Sequence, residues 1–266
     1  MIKRYDQRGV SATKDKVLKY VPKIFFVFLC LLGTISSGCK KDLNDTIKLS
    51  KIKFTYPRDT VYNIYIELQY DKNSKIKAIA KHGEALGVFF YYFYYSTKLD
   101  SMHEVFAPTG DVNNILISWN GNKISSVGEK SYTYDANGNV GKQFYSPTSY
   151  FRYDYSTDSI RLYASFNGEP ELQTSSYLTS DTYKNPFIIN NNESEALAFG
   201  YVTTDIFSGI EIISKKLLSY DREYQNDLIV HVIEFKIESD INKYPTKINV
   251  YDNGSLLYIL DFMYEV

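Results

Sequence analysis

Ser255-Leu256-Leu257-Tyr258-Ile259-Leu260-Asp261-Phe262-Met263-Tyr264-Glu265-Val266 is the stretch that decides the fold. Leu256, Tyr258, Leu260, Phe262, Tyr264 and Val266 fall on one side of an extended chain. Leu257, Ile259, Asp261, Met263 and Glu265 fall on the other. An apolar side alternating with a mixed one is the signature of a half-buried β-strand. The run from Tyr62 to Tyr70 repeats it, with Tyr62, Ile64, Ile66, Leu68 and Tyr70 on one face and Asn63, Tyr65, Glu67 and Gln69 on the other. Val88 to Tyr95 is aromatic on both faces, which predicts a central or interface strand. Long stretches of helical period with caps are absent; the best helical candidate is a turn or two near Glu193 to Phe199.

Turn signals punctuate these strands. Tyr70-Asp71-Lys72-Asn73, Trp119-Asn120-Gly121-Asn122, Tyr134-Asp135-Ala136-Asn137-Gly138, Tyr153-Asp154-Tyr155-Ser156 and Tyr251-Asp252-Asn253-Gly254 share one form. Each has an aromatic residue, an Asp or Asn, turn residues, and then an apolar strand start. Asn-Gly tolerates positive φ at both central positions of a tight hairpin, and Asp bonds the backbone N–H groups ahead of it. The spacing is irregular, so a meander of hairpins is expected rather than a solenoid. The chain is therefore all-β, a large curved antiparallel meander sheet, barrel-like or half-barrel.

The N-terminus has a different character. Lys3, Arg4, Arg8, Lys14, Lys16, Lys19 and Lys23 precede the apolar run Ile24 to Ile35, and Ser36-Ser37-Gly38-Cys39 follows. A basic segment, a short apolar one and small residues resemble a bacterial lipoprotein signal peptide with its lipobox. The run is too short for a spanning helix, which needs about 20 residues. The resemblance implies cleavage after Gly38 and lipidation of Cys39. Ser36 stands where Leu is usual, a relaxed form associated with Bacteroidota. The expected organisation is a signal peptide over 1–38, a lipidated Cys and polar tether over 39–50, and one β domain over 51–266. Lys40-Lys41-Asp42 partly matches the signal of surface-exposed lipoproteins, so the expected location is the outer membrane, held by the lipid and facing the cell surface.

Both cysteines, Cys30 and Cys39, lie in this export region, which leaves the β domain without a disulfide or thiol ligand. Losing the basic leader leaves a net acidic chain without a basic stripe, which argues against nucleic acid. The composition stands out for 26 Tyr beside 16 Phe and one Trp. Tyr suits a sheet face and a sugar-stacking surface alike, with packing the commoner use.

Tyr134-Asp135-Ala136-Asn137-Gly138-Asn139-Val140 resembles a YD repeat, the hairpin unit of RHS-type shell proteins. With the lipobox, Asn185-Pro186-Phe187, Tyr244-Pro245-Thr246-Lys247 and the terminal aromatic strand, the chain resembles a family of Bacteroidota lipoproteins of unknown function with a porin-like fold. That resemblance implies a large curved sheet and no known reaction.

No catalytic residues, cofactor or metal site emerge. His82, His103 and His231 are far apart, and no His-Glu-x-x-His is present. Asp135 to Asn139 lacks the Gly and Glu of a calcium loop, having Val140 and Ser146 at those positions. No Gly-x-Ser-x-Gly elbow occurs. Glu169 with Glu171, and Asp221 with Glu223, read as solvated turn residues. Trp119, beside a tight turn, is the one candidate binding residue, with sheet-edge packing as its alternative. These features favour a non-catalytic, lipid-anchored envelope protein that binds extended ligands such as polysaccharides. A structural or partner-docking lipoprotein is the alternative, followed by a glycan hydrolase and a membrane barrel. The lipobox argues against the membrane barrel, and the apolar-faced last strand favours it.

Overall fold

The computed structural model describes residues 47–188, 193–203, 214–225 and 228–265. The expected signal peptide, Gly38 and Cys39 lie outside these residues. Among the described residues sixteen strands follow one another: β1 Lys48–Thr55, β2 Ile64–Tyr70, β3 Ile76–Gly83, β4 Gly87–Tyr95, β5 Leu99–Phe106, β6 Asp111–Asn120, β7 Lys123–Val127 and β8 Lys130–Tyr134. The second half comprises β9 Val140–Ser146, β10 Ser149–Tyr155, β11 Ser159–Ser165, β12 Leu172–Lys184, β13 Lys216–Gln225, β14 Leu228–Ser239, β15 Pro245–Asp252 and β16 Ser255–Glu265. Among the described residues one α-helix, α1 Glu193–Val202, lies between β12 and β13. The strands form a closed antiparallel barrel, because β1 pairs with β16 through Ile52↔Phe262 and Phe54↔Leu260. Closure removes the half-barrel alternative. The sheet also starts at Lys48, inside the stretch assigned to the tether.

The alternation in the sequence points inward. Ile66 and Leu68 on β2 and Leu260 and Phe262 on β16 are buried, as are Ile52, Phe54, Tyr91, Phe93, Ile115, Ile160, Ile248 and Val250. Burying one such side chain contributes roughly 1.5–3 kcal/mol. Tyr62 departs from its expected face, because Thr60–Tyr62 forms a 3-10 turn above the strand and leaves its ring exposed. Outward positions carry charge, including Lys51 and Lys53 on β1 and Lys236 on β14. A membrane-spanning barrel has the reverse pattern, an apolar band outside and a polar lumen.

The interior is filled rather than open. Asn185 starts this filling: its Nδ2 donates to the Ser214 carbonyl (2.6 Å) and its Oδ1 accepts from the Phe187 N–H (2.9 Å). Phe187 then stacks on Phe199 of α1 and meets Phe262 of β16 edge-on. Residues 195–200 of α1 are all buried, so the helix is a plug and not a surface element. Polar contacts hold both of its ends. The Tyr95 hydroxyl donates to Glu195 (2.9 Å), whose carboxyl is pushed up by burial against the lowering effect of that bond. At the other end the buried Lys81 ammonium donates to the Val202 carbonyl (2.9 Å), a cation at the negative end of a helix.

Much of the tyrosine is structural. Even-numbered strands end at the rim where odd-numbered strands begin. There Tyr70 donates its hydroxyl to the Leu49 carbonyl (2.6 Å), Tyr134 to Ile124 (2.6 Å), Tyr155 to Val140 (3.0 Å) and Tyr264 to Pro245 (2.7 Å). Each clasps the end of one strand to the start of the strand before it. The Tyr-Pro-Thr-Lys element thus supplies a clasp acceptor, and the carbonyl of Lys243 just before it accepts from the Lys184 N–H next to Asn185-Pro186-Phe187.

The rim's hairpins reuse one turn. Asp71 Oδ1 accepts from the N–H groups of Asn73 and Lys75, Asp135 from Asn137 and Asn139, and Asp240 from Asn242 and Tyr244. The fourth residue of each turn has positive φ: Ser74, Gly138 and Lys243. The Asp135 carboxylate is thus filled by turn donors, as expected for a hairpin and not a calcium loop. Asp154 departs from its expected turn role; it lies on β10 beside Arg152, and the turn is closed by Ser156 and Ser159.

Candidate functional site

Strands β3 to β6 set the site by register. Inward, Ile79, Tyr91, Met102 and Ile115 are buried. The alternate positions therefore face out, and pairing aligns them in rows. Ala80, Phe90, Val105 and Val112 form one row; Ala78, Tyr92, His103 and Asn114 form the next. Tyr94, Ser101 and Leu116 form a third. None of these positions carries a formal carboxylate, ammonium or guanidinium group. Leu116 is 69% exposed, Val112 58%, Tyr94 46% and Tyr92 41%, so the face is open to solvent. Phe90 and Tyr92 stack with centroids 6.4 Å apart, and Tyr94 packs against His103 at 4.3 Å. The expectation that Val88 to Tyr95 is aromatic on both faces thus resolves into a buried set and a displayed set. The aromatic row is the displayed edge of a strand fixed from behind by Tyr91 and Phe93.

The same wall continues into a cleft at the rim opposite the clasps. Tyr65, His82 and Val88 align across β2, β3 and β4, and the Tyr65 and His82 rings lie nearly parallel, 5.2 Å apart. Thr60, Asn63, Gly83 and Glu84 complete a cleft of about 390 Å³. Two of its sides are loops held together: Ala85 N–H donates to the Val61 carbonyl, and Asn63 Oδ1 accepts from Tyr56 N–H. Gly83 is required here, because a Cβ would lie 2.7 Å from the Asn63 carbonyl oxygen.

Trp119 lies elsewhere. It is half-buried on β6, donates its indole N–H to the Leu99 carbonyl (2.8 Å) and lies under the Lys98 ammonium at 4.7 Å. It joins the end of β6 to the start of β5, as the tyrosine clasps join their strands. Asp221 and Glu171 also differ from the solvated turn residues expected. Asp221 is buried on β13 opposite Tyr177. Glu171 accepts from Tyr150 (2.8 Å) and Arg152 (2.7 Å) and lies 3.6 Å from Lys142. Those bonds and charges hold its carboxyl below the ordinary range, although burial acts the other way. His103 and His82 lie on the displayed wall, whereas His231 pairs with Asp252 at 3.1 Å. Among the described residues, no three His, Cys, Asp or Glu side chains are grouped to hold a metal.

No protein-family model and no curated protein matches the sequence. Among solved structures the chain is similar to a porin-like protein from Bacteroides uniformis, with 11% identity and a TM-score of 0.42 over 82% of this chain and 96% of that one.

Proposed function

We propose that this chain is a lipid-anchored protein of the outer membrane that carries out no catalysis and binds extended glycans on the outer wall of its barrel. The observation that carries the reading is the displayed aromatic row Phe90, Tyr92 and Tyr94 on an uncharged wall. Aromatic faces and edges with few competing charges suit the apolar faces of sugar rings, and the polar tips of Tyr suit their hydroxyls. The anchor at Cys39 rests on the lipobox, and the surface location on the Lys40-Lys41-Asp42 that follows it. An interior filled by α1, Phe187 and Phe262 favours a binding barrel over a channel.

Binding of the soluble form, residues 40–266, to a panel of host and microbial polysaccharides tests the reading. The expected result is saturable binding weakened in a Tyr92→Ala/Tyr94→Ala variant and retained in Trp119→Phe. Binding lost only in Trp119→Phe would return the site to the Trp119 turn. No binding across the panel would reject the glycan reading. A second reading, docking of an envelope protein, is favoured by the exposure of Val112 and Leu116 beside the aromatic row; crosslinking in cells with capture of one stoichiometric partner would support it.

A further inference from the structure

We infer that the cleft between the Thr60–Asn63 and Gly83–Glu84 loops holds one unit of a neutral sugar chain and discriminates against acidic sugars. This deepens the glycan-binding reading and rests on it.

The first argument is shape. A volume of about 390 Å³ lies within the range of small-molecule sites, roughly 300–1,000 Å³. Its lining combines an aromatic pair, Tyr65 and His82, with apolar Val88 and three polar side chains, Thr60, Asn63 and Glu84. Ring faces set among convergent polar groups are what orient a small polyol. The tie between Ala85 and Val61 fixes both loops before any ligand arrives, so little ordering cost is left for binding.

The second argument is charge. Among the described residues, Glu84 is the one carboxylate that lines the cleft, and no lysine or arginine is part of its lining. An ionised carboxylate accepts hydrogen bonds and donates none, so it pairs with sugar hydroxyls and repels a uronate. Two cations stand over the cleft's Tyr65 ring, Lys51 at 5.4 Å and Lys53 at 5.8 Å from its centroid; Lys51 is paired with Glu67 (2.6 Å) and Lys53 is in register with Asp261, so Glu84 leaves the charge around the cleft net negative.

The third argument is continuity. Val88, Phe90, Tyr92 and Tyr94 alternate outward along β4, so cleft and aromatic row form one track. At about 3.4 Å per residue the track spans roughly 20 Å, several sugar units long. One end of a chain enters the cleft while the rest lies along the row.

Calorimetry on residues 40–266 with two probes of equal length, a neutral hexose oligomer and a uronate oligomer, tests this. The neutral probe is expected to bind at least about ten-fold more tightly, and Glu84→Gln to weaken it about ten-fold and narrow the gap to the uronate probe. His82→Ala is expected to weaken both probes, with the thermal midpoint of each variant measured to establish folding. Equal or tighter uronate binding would overturn the inference. Binding that falls in Tyr92→Ala/Tyr94→Ala but not in folded Glu84→Gln or His82→Ala would also overturn it, and would leave the glycan reading standing. Failure of the wild type to bind either probe, or any glycan of the panel, would overturn both.

Discussion

Across β14, β15, β16 and β1 the outward row reads Glu238, Lys247, Asp261 and Lys53, alternating in sign at every strand. Across β3, β4, β5 and β6 an equivalent row reads Ala80, Phe90, Val105 and Val112, with no charge at all. Behind both walls apolar residues are buried, Ile248, Leu260 and Phe54 behind the first and Ile79, Tyr91 and Ile115 behind the second, where Lys81 and Glu104 also share the inward side. The barrel's packing therefore does not require either outer composition. Alternating charges keep a sheet face solvated and block wrong pairing, at little cost to folding. An uncharged aromatic face gives up that protection, and a contiguous exposed apolar patch marks a surface that meets something.

The comparison can be broken most severely by binding. Tyr92→Ala/Tyr94→Ala is expected to weaken the proposed glycan binding by about ten-fold or more, while Lys247→Ala/Asp261→Ala leaves it unchanged in the same titration. Both pairs point outward from the barrel, so equal losses would show that the two faces do not differ in function. The next test asks whether the two walls are held alike. Trp119→Phe beside the uncharged wall and Tyr264→Phe beside the charged one each delete one donor to a strand-start carbonyl. Each is expected to cost about 1 kcal/mol in urea unfolding, and a loss confined to one would mean the clasps are not equivalent.

A smaller effect should separate the Asp turns by pH. Backbone donors, first that of Lys75, hold the Asp71 carboxyl below its ordinary value. For Asp135, burial raises the carboxyl, but bonds from Asn139, Asn137 and Gly138 outweigh it and the net shift is downward. A lowered folded-state value stabilises the fold above the ordinary carboxyl range near pH 4, and that contribution disappears as pH falls through the folded value. Asp135→Ala is expected to cost up to about 1 kcal/mol at pH 7, as a lost helix cap does, with the gap to wild type closing in acid. A gap that widened in acid would reverse the sign. Smallest of all, Asp261→Lys puts three cations in a row across β15, β16 and β1 and is expected to cost a few tenths of a kcal/mol, less at high salt.

The strands were legible because a half-buried sheet writes its period into single segments: Ile64 to Tyr70 and Tyr258 to Tyr264 needed no partner to be read. Helix α1 was legible in place, near Glu193 to Phe199, but not as a plug, since burial on all sides leaves no amphipathic stripe. Closure was not legible, because the pairing of Phe54 with Leu260 depends on bulges that reset register strand by strand. The Asp240 turn was missed for want of the preceding aromatic residue. The signal common to all three turns is Asp-x-Asn: Asp71 with Asn73, Asp135 with Asn137 and Asp240 with Asn242. The wall was hidden for a simpler reason. Its members alternate with core residues over Ala78 to Leu116, and what unites them is an absence of charge on one face of four strands. Trp119 drew attention by rarity, whereas the displayed tyrosines were lost among many that are clasps.

The pairing of β1 with β16 also has a kinetic meaning. Ser50 donates its hydroxyl to the carbonyl of Met263, 213 residues further along the chain. Until that last strand arrives, β1 has an open edge, the inward faces of its neighbours stay wet, and α1 has no complete wall to plug. Non-local closure of this kind slows folding and prolongs the exposure of sticky intermediates. The chain should therefore fold late and all at once, with refolding far slower than any single hairpin. Loss of the final strand should leave an aggregating remnant, not a smaller barrel.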